Sequence, residues 1–231
     1  MRVSLLQGMT ALALLCSAAR AGIVLEDPVM WSNAPPTTES WGSNAPTVGT
    51  GLATVDNPGT GGAGEGEGFL RITFQQQDAP PQFEEDVVWT QDGAYTGDYR
   101  AVNEPDLGIQ FNFYAEDLLP GSTIIFIHSA SNDTLWEHSF DQTVLGGWQQ
   151  HAIKFSDGNW LGPGSQEDFW EDLATVDWIG VLVERSLDTR EQQFGLDNWT
   201  YLAIPEPGTT LVLTAALCSM AITFRRRLRG S

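Results

Sequence analysis

Short segments in which apolar and polar residues alternate recur along this chain, and they constrain its fold more than any other feature. The clearest is 107–115, where Ile109, Phe111 and Phe113 alternate with Gln, Asn and Tyr. A period of two is the pattern of a half-buried β-strand. Counting a first strand at 23–25, about eight or nine short strands separated by turn residues predict an all-β fold, an antiparallel β-sandwich. The other predicted strands are 69–74, 83–89, 123–129, 135–140, 148–155, 178–184 and 194–203.

Two segments depart from simple alternation. Residues 123–129 are apolar on both faces, which predicts a central strand covered on both sides. Further along, Phe169 and Leu173 lie at helical spacing, and Ser165 precedes Asp168 by three residues, the spacing of a capping box. We therefore expect one short helix, which covers one open end of the sandwich.

A stretch rich in glycine, proline, threonine and serine occupies residues 30–68 and ends in a glycine-rich run at 59–68. A phosphate-binding loop is excluded, because no Gly-Lys-Ser/Thr sequence ends this run and no helix follows it. The composition predicts a flexible surface excursion before the sheet, and we assign it no strand.

The N-terminus has the pattern of a secretory signal peptide. Met1-Arg2 supplies a positive start, residues 3–16 are mostly apolar, and Ala19-Arg20-Ala21 is a small-x-small cleavage sequence. We expect residues 1–21 to be removed by cleavage after Ala21.

The C-terminus, residues 205–229, combines three features. It begins with Pro205, Glu206, Pro207 and Gly208, where the prolines end any preceding strand. Residues 209–224 are almost wholly apolar, near the lower length limit for a transmembrane helix. Arginines favour the cytoplasmic side of a membrane, so the rest of the chain is expected on the opposite side. The arginines that follow the apolar run are Arg225, Arg226, Arg227 and Arg229.

This order of Pro-Glu-Pro motif, apolar helix and arginine cluster resembles the PEP-CTERM sorting signal of Gram-negative bacteria. The resemblance covers about the last 28 residues of the chain. It implies recognition by an exosortase, a membrane-embedded cysteine transpeptidase that cuts near the motif, so that the tail is a removable address. An ordinary single-span anchor behind a proline-rich linker is the alternative.

Removal of both ends leaves a domain of residues 22–204, long enough for one hydrophobic core. It contains five basic and 29 acidic residues, a formal charge of −24. So negative a surface excludes nucleic-acid binding and suits a hydrated extracellular matrix. Cys16 and Cys218 both lie in the removed segments, so the domain has neither a disulfide nor a thiolate metal site.

The residues give no pattern for catalysis. There is no Gly-x-Ser-x-Gly sequence and no histidine pair at zinc spacing. We interpret His128 as a core or rim residue and expect His138 and His151 to be exposed. The acidic residues 84–86 alternate across a strand and cannot all face one cleft, although a glycosidase needs two facing carboxylates.

The segment 195–202, just before the Pro-Glu-Pro motif, resembles the last strand of jelly-roll, galactose-binding-like domains, which are similar to carbohydrate-binding modules. The resemblance implies a structural calcium that joins the first strand to the last. Its ligands here would be Glu26 or Asp27 with Asp197, since calcium prefers carboxylate oxygens. Alternatively, Asp197 bonds a turn backbone.

Aromatic side chains are the usual means of binding sugars, and nine tryptophans are many for this length. Most tryptophans pack in cores, but an exposed loop tryptophan would stack on a sugar. We select Trp160, after the turn at 157–159, as that sugar-binding residue.

The sequence therefore predicts an exported, non-catalytic surface or matrix protein. The resemblance to the sorting signal implies a precursor that is anchored in the inner membrane with the domain outside the cytoplasm, and an exosortase that then transfers it to the cell surface or extracellular matrix. The expected roles are matrix structure or exopolysaccharide binding. A matrix-modifying glycan hydrolase or lyase on the same sandwich is the alternative.

Overall fold

The computed structural model describes residues 38, 40–43, 52–64, 68–79, 84–100 and 107–203. Each strand predicted within these residues is present, with ends shifted by two residues or fewer, whereas the strand predicted at 23–25 lies outside them. The strands are β1 (Ala53–Asp56), β2 (Leu70–Phe74), β3 (Glu85–Thr90), β4 (Leu107–Ala115), β5 (Ser122–Ser129), β6 (Thr134–Ser139), β7 (Gly147–Lys154), β8 (Val176–Glu184) and β9 (Gln192–Ala203).

The strands form two antiparallel sheets. One has five strands in the order β1-β2-β9-β4-β7, and the other has four in the order β3-β8-β5-β6. The predicted all-β antiparallel sandwich is thereby confirmed.

Aromatic side chains fill the space between the sheets. Phe111 of β4 is fully buried and stacks on Trp199 of β9, with ring centroids 5.3 Å apart. Phe140, which follows β6, packs edge-on against Phe111 at 5.0 Å. Each such ring buries enough apolar surface to contribute about 1.5–3 kcal/mol. The aromatic core therefore stabilises the packing of the two sheets against each other.

The outer face of the four-stranded sheet carries a second apolar cluster. It contains Val87, Phe126, Trp178 and Leu182, all at most 5% exposed. In β5, Ile125 faces the main core while Phe126 belongs to this second cluster. The prediction of a strand buried on both faces is confirmed.

One strand was not expected. Ala53–Asp56 lies within the glycine-rich stretch and pairs with β2 in a register that places Ala53 opposite Phe74. Four residues are too few for a clear alternation, and tertiary contacts hold them: the buried carboxylate of Asp86 accepts a hydrogen bond from the Ala53 amide at 2.8 Å. Treating residues 30–68 as strandless was wrong at this point.

The predicted helix is α1 (Gln166–Asp172), followed by one 3₁₀ turn (Leu173–Thr175). Its capping box is formed as expected, since the side chains of Ser165 and Asp168 each accept from the other's backbone amide. Phe169 is fully buried and stacks on Trp160 with ring centroids 4.7 Å apart. The helix therefore adds an aromatic layer to the core.

In the part of the chain described above, no helix has the length and apolar character needed to cross a membrane. The predicted signal peptide (1–21) and sorting tail (205–229) lie outside the described residues. The division of the chain at 21 and 204 therefore stays a prediction.

Candidate functional site

The outer face of the five-stranded sheet is the candidate site, and we call it the polar face. Because Phe111 and Phe113 of β4 belong to the core, their alternate neighbours Gln110, Asn112 and Tyr114 point to the opposite side. The neighbouring strand β7 alternates in the same way. Its outward residues are Trp148, Gln150 and Ala152.

Strand register arranges these side chains in rows. Tyr114 lies opposite Trp148, and Asn112 lies opposite Gln150. Directly opposite residues in an antiparallel pair have Cβ atoms about 4.5–5.5 Å apart, so each pair forms one continuous patch. The polar face therefore presents an aromatic row beside an amide row.

A third ring completes the aromatic row. Phe69 packs edge-on against Trp148 with ring centroids 5.3 Å apart, and Tyr114 is tilted against Trp148 at the same distance. The rings of Phe69 and Trp148 lie over Gly195 of β9, which is the register partner of Tyr114. A Cβ atom there would come within 2.8 Å of the Phe69 ring and 3.0 Å of the Trp148 ring. Glycine at position 195 is thus required for this cluster.

Part of the glycine-rich stretch borders the polar face. The Trp148 indole Nε1–H donates to the carbonyl oxygen of Gly61 at 3.3 Å. Two residues later, the Ala63 amide donates to the carboxylate of Asp197 at 2.6 Å. Gly61 has a φ of +88°, a conformation that side chains with a Cβ rarely adopt. The segment predicted as an excursion is therefore bonded to the sheet.

Charges surround the aromatic row. Arg71 of β2 donates to Asp56 at 2.8 Å, and this hydrogen bond raises the arginine's pKa. Partial burial raises the pKa of the Tyr114 hydroxyl, and the nearby Glu116 and Asp117 raise it further. Tyr114 is therefore a neutral hydrogen-bonding group at physiological pH.

Trp160, predicted as the exposed sugar-binding residue, is instead 5% exposed. Its Nε1–H donates to the carbonyl of Lys154 at 3.0 Å, and its ring packs between Phe169 and His138. The prediction was wrong because α1 buries the ring, and the turn before Trp160 gave no sign of that helix contact.

His138 and His151 are also buried, contrary to prediction. His138 bonds Asp157 at 2.8 Å, while His151 stacks on Phe111 at 5.2 Å. His151 precedes the buried Ile153 by two residues, so strand alternation already placed it on the core face. His128 lies at the rim as predicted, bonded to Asp177 at 2.6 Å.

Because His151 is buried, we expect the free energy of unfolding to depend on pH. Burial lowers its pKa to about 4, although Asp141 acts in the opposite direction. The unfolded chain binds this proton near its ordinary pKa of about 6.5, so the free energy of unfolding should fall as the pH falls from 6.5 to 4. In His151→Phe this decrease should be smaller, as measured by urea unfolding at several pH values. An unchanged slope would contradict the assignment.

The predicted calcium ligands are not brought together within the described residues. Asp197 is fully buried and accepts hydrogen bonds from the backbone amides of Ala63 and Asn198, while Glu26 and Asp27 lie outside those residues. In that same part of the chain, no group of three His, Cys, Asp or Glu side chains could hold a metal ion. The structure thus gives Asp197 the backbone-bonding role that was the alternative.

Glu84, which precedes β3, and Asp86 within β3 have different hydrogen-bond partners. Glu84 bonds Arg185 at 3.0 Å, whereas Asp86 faces inward and holds β1. Glu85 lies between them on the strand and points to the opposite face, which agrees with the interpretation that the three acidic residues cannot all face one cleft.

Solved structures of other proteins are similar to this chain in fold. No family model matches the chain, and no curated protein matches it significantly. Among solved structures, it is similar to an exo-β-agarase, with a TM-score of 0.56 and 11% identity over 78% of this chain and 25% of that one. A family 11 carbohydrate-binding module from Clostridium thermocellum, in complex with a β-1,3-1,4-mixed-linked tetrasaccharide, is 16% identical over 78% of this chain and 98% of the module, with a TM-score of 0.47.

A further similar structure comes from carbohydrate-binding modules of the β-sandwich superfamily. It has a TM-score of 0.49 and 16% identity, over 74% of this chain and 60% of that one. The chain therefore spans about a quarter of the agarase and three fifths of this last structure. At 11% identity the likeness to the agarase concerns the fold alone, which is an antiparallel β-sandwich.

Proposed function

We propose that this protein binds a neutral polysaccharide chain along the polar face. The observation that carries the proposal is the aromatic pair Tyr114–Trp148 directly beside the amide pair Asn112–Gln150. Aromatic faces stack on the apolar faces of sugar rings, and amides match sugar hydroxyls because they both donate and accept hydrogen bonds. The similarity in fold to carbohydrate-binding modules is consistent with this function.

The charge of the domain selects among polysaccharides. A formal charge of −24 over residues 22–204 repels anionic glycans, and most strongly at low ionic strength. A neutral chain carries no such penalty. We therefore expect binding to neutral glycans and weak or no binding to uronic-acid or sulfated ones.

The environments of the carboxylates on the polar face favour binding over hydrolysis. Asp56 is paired with Arg71, and Asp197 is buried under the glycine-rich segment. A glycosidase needs an accessible acid and a facing carboxylate. The glycan hydrolase or lyase alternative predicts turnover by the wild-type protein, so any release of reducing sugar would favour it.

Affinity electrophoresis and calorimetry with the purified full-length chain and a panel of neutral and anionic polysaccharides test the proposal. Trp148→Ala and Tyr114→Ala should each weaken binding roughly 30-fold or more, the loss expected of a central aromatic anchor at about 2 kcal/mol. Gln150→Ala should weaken it less, because it removes hydrogen bonds that water partly replaces.

Matched controls lie elsewhere on the molecule. Trp89→Ala changes a half-buried tryptophan on the other sheet, and Gln76→Ala changes an exposed amide after β2. Both should bind like the wild type. Equal losses in Trp89→Ala and Trp148→Ala would show that the effect is one of folding and would remove the support for this face.

We further propose that the chain is exported and sorted by an exosortase, with the ectodomain released to the cell surface or matrix. Glu206→Ala, or deletion of residues 225–229, should leave unprocessed protein in the inner membrane. Glu191→Ala, an exposed acidic residue of the domain, is the control and should be processed normally. Fractionation with mass spectrometry measures the outcome, and a mature extracellular form that retains residues 211–224 would contradict it.

A further inference from the structure

The glycine-rich segment 59–64, which we call the glycine loop, is attached to the polar face at its tip. One attachment is the Trp148 indole, which donates to Gly61, and the other is the Asp197 carboxylate, which accepts from Ala63. We propose that Asp197 is a positioning residue: through the glycine loop it fixes the Trp148 ring before a glycan binds. The inference rests on the proposed function, because it concerns the same face.

Asp197 is placed for this role by an irregularity in β9. The register between β4 and β9 shifts between Gln110 and Asn112, and Asn198 has a φ of +54°. Such bulges redirect a side chain within a sheet. Here the carboxylate of Asp197 is fully buried and accepts from Asn198 at 2.8 Å and from Ala63 at 2.6 Å. A buried carboxylate without donors would be costly, so the contact with the loop is strongly favoured.

The other end of the glycine loop is anchored independently. The amide of Gly59 donates to the side chain of Asn57 at 2.8 Å, and Asn57 is itself buried. Gly68 approaches the same side chain so closely that a Cβ there would lie 2.2 Å from its oxygen. The base of the loop is thus held by Asn57, which leaves Asp197 to hold the tip.

The tip in turn restrains the tryptophan. Gly61 accepts the indole N–H, while Phe69 packs edge-on against the same ring over Gly195. If the glycine loop moved away from the sheet, the Trp148 indole would lose the carbonyl of Gly61 as its acceptor and with it the contact with the loop. A binding ring that is already held in place loses less conformational entropy when the ligand binds.

This arrangement predicts a kinetic effect. When only a fraction of the molecules has the competent tryptophan position, the apparent affinity falls by that fraction. Loosening the loop should therefore slow the observed association with glycan while the dissociation rate stays close to that of the wild type. Loss of a direct sugar contact would instead increase dissociation.

The test uses Ala63→Pro, which removes the donating amide without changing Asp197, and Ala63→Ser as the matched control that keeps it. In the full-length chain without glycan, the Trp148 indole N–H, identified by its loss in Trp148→Phe, should exchange faster and change its NMR shift in Ala63→Pro only. Affinity for the neutral glycan should fall roughly tenfold, mainly through association. Asp197→Ala should reproduce both effects if it folds.

The outcomes separate this inference from the proposed function. If Ala63→Pro and Ala63→Ser give the same indole exchange and shift, Asp197 does not position the tryptophan and the inference is wrong. If the indole responds but Trp148→Ala binds glycans normally, the loop contact exists and the proposed binding face fails. An indole response with unchanged association rates would likewise overturn the positioning role in binding.

Discussion

Arg185→Met should lower the free energy of unfolding by about 3–5 kcal/mol, the cost of removing one partner from a buried ion pair. Arg185 is only 2% exposed. One guanidinium nitrogen donates to Glu84 and to the carbonyl of Gln75, both at 3.0 Å. That nitrogen is Nη1, and Nη2 donates to the carbonyls of Asp188 and Arg190, at 2.8 and 2.9 Å. Methionine fills similar volume but leaves these acceptors, one of them charged, without a donor.

The chain offers a matched control in Arg190, which also pairs with a carboxylate, that of Asp188, but is exposed. Arg190→Met should unfold at nearly the wild-type urea concentration, because exposed ion pairs contribute little. Arg185→Lys should be intermediate, since an ammonium group keeps the charge but cannot reproduce the planar fork. Urea unfolding followed by tryptophan fluorescence measures all three. Equal midpoints for the Arg185→Met and Arg190→Met variants would show that burial does not strengthen the first site.

The strands could be predicted because their information is local. Leu107–Ala115 has the bounds that its alternation indicated, since a strand with one face in the core must repeat with period two. Ala53–Asp56 could not be found in this way. It is short, and what holds it is an inward carboxylate of β3, Asp86, thirty-three residues away. Contacts between distant segments are invisible to a search for periodicity.

The candidate site depended on contacts between distant segments, which sequence periodicity does not show. Tyr114 and Trp148 were visible as aromatic residues, but only the register between β4 and β7 places them side by side. Trp160 had the better local context, after a polar turn, and is nevertheless covered by α1. A linear signal such as the Pro-Glu-Pro tail differs, because its residues are contiguous, and it stays a prediction for experiment.

Asp172→Ala should lower the free energy of unfolding by about 3–5 kcal/mol. Asp172 ends α1 and is 2% exposed, and its carboxylate accepts hydrogen bonds from the side chains of Asn132 at 2.6 Å, Thr134 at 2.6 Å and Trp136 at 2.7 Å. The substitution leaves the buried indole of Trp136 without its acceptor, which costs about 1–3 kcal/mol. It also removes the hydrogen bonds from the half-buried Thr134 and the exposed Asn132, and a hydrogen bond to a charged group contributes about 1.5–3 kcal/mol. The carboxylate joins the helix to β6, so its loss should also release the end of α1.

The buried carboxylate of Asp172 should also make the free energy of unfolding depend on pH in acid. Burial acts to raise the pKa of Asp172, but the hydrogen bonds from Thr134, Trp136 and Asn132 outweigh it and lower the pKa below its ordinary value. The folded protein therefore binds this proton less readily than the unfolded chain, and the stabilisation is lost as the pH falls below about 3.8. Asp172→Ala should lack this acid-dependent loss, whereas Glu171→Ala, at the exposed preceding position, should keep it along with wild-type stability. If urea unfolding at pH 7 and pH 3 showed equal stability changes for both variants, the buried carboxylate would not be what joins the helix to the sheet.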